Sequence, residues 1–177
     1  MKLQKFLCGA LLATAMLLSP VWAEPQSLYE GALKLDVPSV FQSMPEESIE
    51  AMFSTSAHRP QVVYATPDAE TRVALTYLST PFTAEDVEPT RVELTSSMEQ
   101  KAEVAWHRNE VVVLNDRAWF RMDYDLSAKQ PPTREILLGT SLRGKLLFVM
   151  IATPATDLEL LGSDLEALIA SLQGSES

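Results

Sequence analysis

Apolar and charged residues alternate along the stretch Arg117–Leu126. This period of two predicts a β-strand with one apolar side and one charged side, the latter interrupted by Trp119. The apolar side comprises Ala118, Phe120, Met122, Tyr124 and Leu126. The preceding stretch, Val104–Leu114, is rich in β-branched residues, and Asn115-Asp116 joins the two stretches. Since Asn and Asp tolerate positive φ, we predict a tight β-hairpin here.

Two further strands are predicted downstream, over residues 135–142 and 145–152, with Arg143-Gly144 as the turn between them. Residues 146–151 of the second strand are apolar at every position. A strand without a polar side is buried on both sides. We therefore expect helices to cover parts of both faces of this sheet.

The rest of the chain adds short strands and three helices. Alternation predicts a strand over residues 31–37, and a hairpin of two strands is predicted over residues 61–65 and 72–78. Residues 24–30 are predicted to be a mobile lead-in. Capping boxes beginning at Ser43 and Thr90 predict helices that end near residues 53 and 103. Similar patterns begin at Thr156 and Ser163, separated by Gly162, and precede a final helix that we expect Gly174 to terminate.

This element order predicts one α+β domain over residues 24–177, with a mostly antiparallel sheet of about six to seven strands and helices packed on its faces. The order resembles the PsbP-like fold, an α/β/α sandwich shared by PsbP, Mog and DcrB proteins. The local matches are Leu33-x-Leu35-x-Val37-Pro38 with Phe41, then Val63-Tyr64-Ala65-Thr66-Pro67-Asp68, then the closing helix through Ile169 and Ser171.

Among proteins of this fold, the chain most resembles the DcrB-like exported proteins. The resemblance implies an accessory or binding protein without catalysis, because members of the fold generally act in that way. It assigns no functional residues, since no motif fixes them. A membrane tether is not implied either, because Cys8 stands at the front of the apolar run and is not placed to carry a lipid.

Residues 1–23 have the pattern of a secretory signal peptide. Lys2 and Lys5 precede an apolar run, Pro20 ends the run, and Ala23 is a small residue where a signal peptidase would cut. We expect cleavage after Ala23 and a periplasmic or secreted product, with a retained anchor as the alternative. Cys8 is the one cysteine, so the mature chain would hold neither disulfides nor thiolate metal sites.

The charge balance is acidic, with 24 Asp+Glu against 14 Lys+Arg and a net charge of −10. This balance argues against nucleic acid and anionic membrane surfaces as partners, and we expect no membrane insertion after signal removal. Solubility alone would also explain it.

Three groups of residues carry candidate chemistry, and each has a structural explanation. Residues 139–145 fit a phosphate-binding P-loop, but Leu146 replaces the magnesium ligand and a strand follows, which favours a hairpin turn. His58 and His107 are not paired in sequence, so we predict no metal site. Asp123 and Asp125 share a strand face with Arg117 and Arg121, which favours a salt-bridged surface over paired catalytic carboxylates or calcium ligands.

Trp119, flanked by Arg117 and Arg121, is the candidate protein contact. The alternative is that Trp119 packs under a helix on the second face of the sheet. Our leading prediction is an exported, soluble, non-catalytic binding or accessory protein of the bacterial envelope, without cofactor, acting through a protein partner. A periplasmic carrier of a small apolar ligand is the second interpretation. A hydrolase is the weakest, because no nucleophile-base pattern is present.

Overall fold

Ten β-strands and three α-helices make up the part of the chain that is described, residues 24–126 and 132–175 of a computed structural model. In chain order they are β1 (Glu24–Leu28), β2 (Leu33–Val37), β3 (Gln42–Ser43), α1 (Glu46–Met52), β4 (Val62–Ala65), β5 (Arg72–Pro81), α2 (Val87–Lys101), β6 (Val104–Leu114), β7 (Arg117–Leu126), β8 (Thr133–Leu142), β9 (Lys145–Pro154), α3 (Leu158–Ser171) and β10 (Gln173–Gly174). The predicted α+β class is confirmed.

Seven of the strands form an antiparallel sheet in the order β3-β4-β5-β9-β8-β7-β6. The predicted four-stranded meander, β6 to β9, is the larger part of this sheet. Its two short turns have positive φ, 47° at Asn115 and 63° at Asp116, then 49° at Arg143 and 70° at Gly144. These values suit the two-residue turns that join twisted strands, so both predicted turns are confirmed.

One side of the sheet, the α3 face, is covered by α3 and by a separate three-stranded sheet of order β1-β2-β10. Leu33 and Leu35 of the small sheet and Leu165 and Leu168 of α3 are at most 1% exposed. They pack with sheet residues that include Val73, Leu75, Trp119, Ile136, Leu138, Leu147, Val149 and Ile151. This cluster is the main hydrophobic core of the domain.

The opposite side, the α2 face, has two helices over it. Residues of α2, among them Leu94 and Met98, pack with a cluster formed by Phe82, Val87, Phe120, Met122, Tyr124, Leu137 and Leu146. Ile49 of α1 packs with Val63 of β4 and Ala74 of β5. Side chains of cross-strand partners project to the same side of a sheet. Met150 lies opposite both Ala74 and Leu137, so the cluster that contains Ala74 and the cluster that contains Leu137 are on one face. The expectation of helices on both faces is confirmed.

Residues 24–28 correct one prediction, since they form β1 instead of a mobile lead-in. Each of their five residues pairs with β2, from Glu24 opposite Val37 to Leu28 opposite Leu33. Strand pairing uses backbone groups, so the lead-in needed no apolar alternation of its own to complete the ladder of β2.

Helix boundaries also differ from those predicted. The capping box before α2 lies at Thr83 and Asp86 instead of Thr90, with the Thr83 backbone N–H donating to Asp86 Oδ2 at 2.7 Å. A 3-10 turn, Ala84–Asp86, then leads into α2, and Pro89 lies in its first turn, where no backbone donor is required. Helix α3 runs without a break through Gly162 and ends at Ser171.

Gly174 does not terminate α3 but lies in β10, which pairs with β2. The predicted signal peptide and its cleavage site lie outside the described residues. Among the helices of residues 24–126 and 132–175, none is long and apolar enough to cross a membrane.

Candidate functional site

Trp119 lies inside the main core, where its side chain is 0% exposed. Arg121 is 4% exposed, and Arg117 is partly buried with its Nη1 donating to the Ser141 carbonyl. A protein contact through these three residues does not agree with this burial. The arrangement is the alternative one, in which α3 covers the second side of β7. Alternation placed Trp119 on the correct side of the strand but gave no information on what covers that side.

The Arg121 side chain connects β7 to α3. Its Nε and Nη2 donate to the Asp123 carboxylate, both at 2.8 Å, and its Nη1 and Nη2 donate to the Glu166 carboxylate at 2.9 and 2.6 Å. Burial by itself lowers the pKa of this guanidinium, but the bonds to Glu166 and Asp123 outweigh burial and raise it. The same contact holds the pKa of Glu166 below its usual range. Such bidentate geometry gives orientation as well as energy.

A second ionic cluster surrounds Asp125. Arg134 Nε donates to Asp125 Oδ1 at 2.6 Å, and His107 Nε2 lies 2.7 Å from Asp125 Oδ2. The hydrogen bond from Arg134 and then the one with His107 lower the pKa of Asp125. The predicted pairing with an arginine of the same strand face is confirmed for Asp123, which Arg121 binds, whereas Asp125 pairs with Arg134 of β8. Asp123 is only 5% exposed, so this ion pair is buried and does not belong to the predicted surface.

The P-loop-like residues 139–145 form the end of β8, a turn and the start of β9, so the predicted hairpin is confirmed. Gly139 lies opposite Phe120 across the strands, and a Cβ at Gly139 would overlap the Phe120 ring. This glycine therefore permits a close approach within the sheet instead of contacting a phosphate.

An open apolar groove of about 250 Å³ on the α2 face is the strongest candidate site in the described residues. We call it the sheet groove. Its lining residues are Phe53, Ser56, His58, Pro60, Ala74, Thr76, Leu94, Leu137, Phe148 and Met150. The floor is formed by β5, β8 and β9, and the walls by Leu94 of α2 and by the segment that follows α1.

The sheet groove exists because the two helices on this face stop short of each other. Ile49 of α1 packs at Val63 and Ala74, whereas α2 packs over β6, β7 and β8. Met150, at the centre of the sheet, is left 38% exposed. The apolar run over residues 146–151 indicated a buried strand, but no local pattern gave the distance between α1 and α2.

The two histidines lie on different elements. His58 belongs to the loop between α1 and β4 and lines the sheet groove, whereas His107 lies in β6 at the bulge between Trp106 and Arg108. In the groove, Ser56 Oγ donates to the backbone carbonyl of His58 at 3.1 Å. This bond joins the hydroxyl to the main chain and not to the imidazole, so it is not a nucleophile-base pair.

No protein-family model and no curated protein sequence matches the chain. Solved structures do match it. The cyanobacterial PsbP protein, CyanoP, from Synechocystis superposes with a TM-score of 0.61 and 12% sequence identity, over 93% of this chain and 99% of that protein. The chain has a PsbP-like fold.

Two other proteins of similar structure have different roles. LpqN, described as involved in cell envelope biogenesis of Mycobacterium tuberculosis, has a TM-score of 0.53 and 10% identity, over 85% of this chain and 88% of its own. The Saccharomyces cerevisiae Ran-binding protein Mog1p has a TM-score of 0.51 and 12% identity, over 86% of this chain and 95% of its own. At these identities the likeness shows the PsbP-like fold alone. The DcrB-like resemblance stays a prediction from the sequence.

Proposed function

We propose that this protein is an exported, non-catalytic binding protein of the bacterial envelope and that it binds through the sheet groove. The observation that carries the proposal is the gap between α1 and α2, which leaves an apolar floor open to solvent at the middle of the sheet. Covering a large apolar side chain such as Met150 with a partner is favourable, because it removes apolar surface from water. A role in protein binding agrees with the Ran-binding protein Mog1p, which has a similar structure.

The size and lining of the groove indicate the kind of occupant. About 250 Å³ is slightly below the range of pockets that enclose a drug-sized ligand. It suits one or two apolar side chains of an envelope protein partner. Phe148 and Met150 form the centre of the floor, and the flexible thioether of methionine adapts to irregular surfaces.

Absence of catalysis is part of this proposal. Ser56 and His58 are the groove residues that most resemble a hydrolytic pair, and the Ser56 hydroxyl donates to a backbone carbonyl. A serine nucleophile needs a base within hydrogen-bond reach of its hydroxyl, and an oriented base besides. The remaining lining is mainly aliphatic and aromatic, which supports binding instead of chemistry.

The second candidate function is a carrier of a small apolar ligand. The location of the groove between sheet and helix favours this candidate, since its walls come from Leu94 and Phe53 and its floor from Leu137 and Phe148. In that case a small molecule, and not a partner's side chain, would cover Met150.

Substitution of Met150 by lysine tests the groove. Met150 is 38% exposed, so Met150→Lys should change stability by less than about 1 kcal/mol. It should weaken binding of the neutral apolar probe N-phenyl-1-naphthylamine at least tenfold, measured by fluorescence titration. Val92→Lys is the matched control, because Val92 is 48% exposed on α2 and does not line the groove. Equal probe binding by both variants would contradict a groove site.

The occupant can then be identified in the producing cell. A photo-crosslinking residue at position 150, compared with one at position 92, should capture an envelope protein only from position 150. A native mass spectrum of the chain purified from its own cells should show extra small-molecule mass if the protein is a carrier instead. A chain with neither adduct nor extra mass would contradict both functions.

A further inference from the structure

Strand β6 is an exposed edge of the main sheet. It is 11 residues long and pairs with β7 on one side, and within residues 24–126 and 132–175 no strand pairs with its other side. The opposite edge of the sheet is β3, which has only two residues. Natural proteins protect long edge strands, because unpaired backbone groups there can pair with another chain.

The hairpin turn fixes which backbone groups of β6 point outward. Leu114 and Arg117 flank the two-residue turn and pair with each other, so they form the hydrogen-bonded pair that closes it. Going back along the strand, the residues whose backbone N–H and C=O groups point away from β7 are therefore Val113, Val111 and Asn109. The carbonyl of Asn109 is already used, since it accepts from Arg91 Nη1 at 3.3 Å.

Only the first half of β6 is protected against pairing with another chain. The bulge between Trp106 and Arg108 interrupts regular pairing there, and α2 contacts the same half through Trp106 Nε1, which donates to Glu99 at 3.0 Å. The second half carries three consecutive valines. Val111 is 40% exposed and Val113 is 71% exposed.

We propose that two copies of this chain associate through the second half of β6, antiparallel and with the two-fold axis at Val112. In this register Val111 lies opposite Val113 of the second copy, and Val113 lies opposite its Val111. These two pairs form four backbone hydrogen bonds and join the two main sheets into one. The exposed valines of both copies cover each other on the α2 face.

Backbone groups and charge select this register among its neighbours. With the axis at Val112, the hydrogen-bonded pairs involve only Val111 and Val113, and Glu110 lies opposite Leu114 of the second copy. An axis at Val111 or at Glu110 would require the Asn109 backbone, whose carbonyl already accepts from Arg91. An axis at Glu110 would in addition place the two copies of Glu110 opposite each other, and like charges opposite each other in a sheet are destabilising. An axis at Val113 would pair Val111 with Asn115, which lies in the hairpin turn beyond the end of β6.

A register-specific disulfide tests the proposal. The two copies of Val112 would form a non-hydrogen-bonded pair with Cα atoms about 4.5 Å apart, which is within disulfide range. In a Cys8→Ser background, Val112→Cys should form a covalent dimer under mild oxidation, whereas Val111→Cys should not. A dimer from Val111→Cys and none from Val112→Cys would overturn the proposal.

Sedimentation equilibrium gives an independent test without cysteine. The chain should show concentration-dependent dimerisation, and Val113→Lys should weaken it at least tenfold, while Val92→Lys on α2 leaves it unchanged. A chain that stays monomeric up to about 1 mM would overturn the proposal. Met150→Lys affects the sheet groove and not β6, so failure of the groove function and failure of the dimer are separable.

Discussion

The two faces of the main sheet are covered to different degrees. On the α3 face, Trp119, Leu138, Leu147 and Val149 are all 0% exposed. On the α2 face, Met150 is 38% exposed, although it lies in the same strand as Leu147 and Val149. A fully covered face fixes the fold, and a partly covered face leaves apolar surface that a second molecule can bury.

The helices explain the difference. Helix α3 presents Leu165, Leu168 and Ile169 at helical spacing, and all three are buried. In α2 only Val87 is buried, at the first position, while Leu94 and Met98 are half-buried. A helix with a weak apolar face covers less of the sheet beneath it. In addition, α3 is held by the Arg121 side chain through Glu166.

The largest expected effect is at Trp119. Trp119→Ala should lower the free energy of unfolding by about 3–5 kcal/mol, because it removes a fully buried side chain from the closed face. Urea melts followed by circular dichroism measure the loss. If the loss were below about 1 kcal/mol, the α3 face would be open in solution, and the hypothesis that Trp119 contacts a protein partner would be supported.

Trp119→Phe is the matched control for this substitution. The indole Nε1 is buried and has no hydrogen-bond partner in the described residues, so its removal relieves an unsatisfied donor. The phenylalanine variant should therefore lose clearly less stability than Trp119→Ala. Equal losses in both variants would show that the indole N–H has a partner in solution.

Local patterns in the sequence were sufficient for the meander. The alternation in Arg117–Leu126 and the continuous apolar run after Lys145 predicted strands that the structure contains, and the Asn115-Asp116 turn followed from backbone preferences. These features depend on residues within a few positions of one another.

Features that depend on distant segments were not predictable in this way. The burial of Trp119 depends on α3, which lies about 40 positions further along the chain. The pairing of β1 with β2 uses backbone atoms that leave no side-chain pattern. The sheet groove depends on where α1 and α2 end relative to each other, and helix ends are the least predictable boundaries.

Adjacent residues of β9 provide a sharper comparison of the two faces. Leu147 is 0% exposed on the α3 face, whereas Phe148 is half-buried and lines the sheet groove. We expect Leu147→Ala to cost about 3 kcal/mol and Phe148→Ala about 2 kcal/mol, although phenylalanine is the larger side chain. Urea melts of both variants test this order. A larger cost at Phe148 would mean that the groove is closed in solution.

The smallest expected effect is a pH dependence that comes from the ion pair between Arg121 and Glu166 on the α3 face. Arg121 holds the pKa of Glu166 below its ordinary value, with Arg108 also near this carboxylate. A carboxyl group with a lowered folded pKa stabilises the protein above its unfolded pKa, about 4.3, and loses this contribution as the pH falls through the folded value. Stability should therefore decrease on acidification below about pH 5.

Glu166→Gln should make this acid-dependent decrease shallower, because glutamine does not titrate and keeps only a neutral contact with Arg121. Asp125 keeps its own lowered pKa through Arg134 in the variant, and Glu88 keeps its own through Arg91, so part of the decrease should remain. Glu93→Gln, at an exposed position of α2, is the control on the other face. Urea melts from pH 7 to about pH 3 measure the slopes. Equal slopes in the Glu166→Gln and Glu93→Gln variants would show that the contact between Arg121 and Glu166 adds no stability in solution, leaving apolar packing alone to hold α3 on its face.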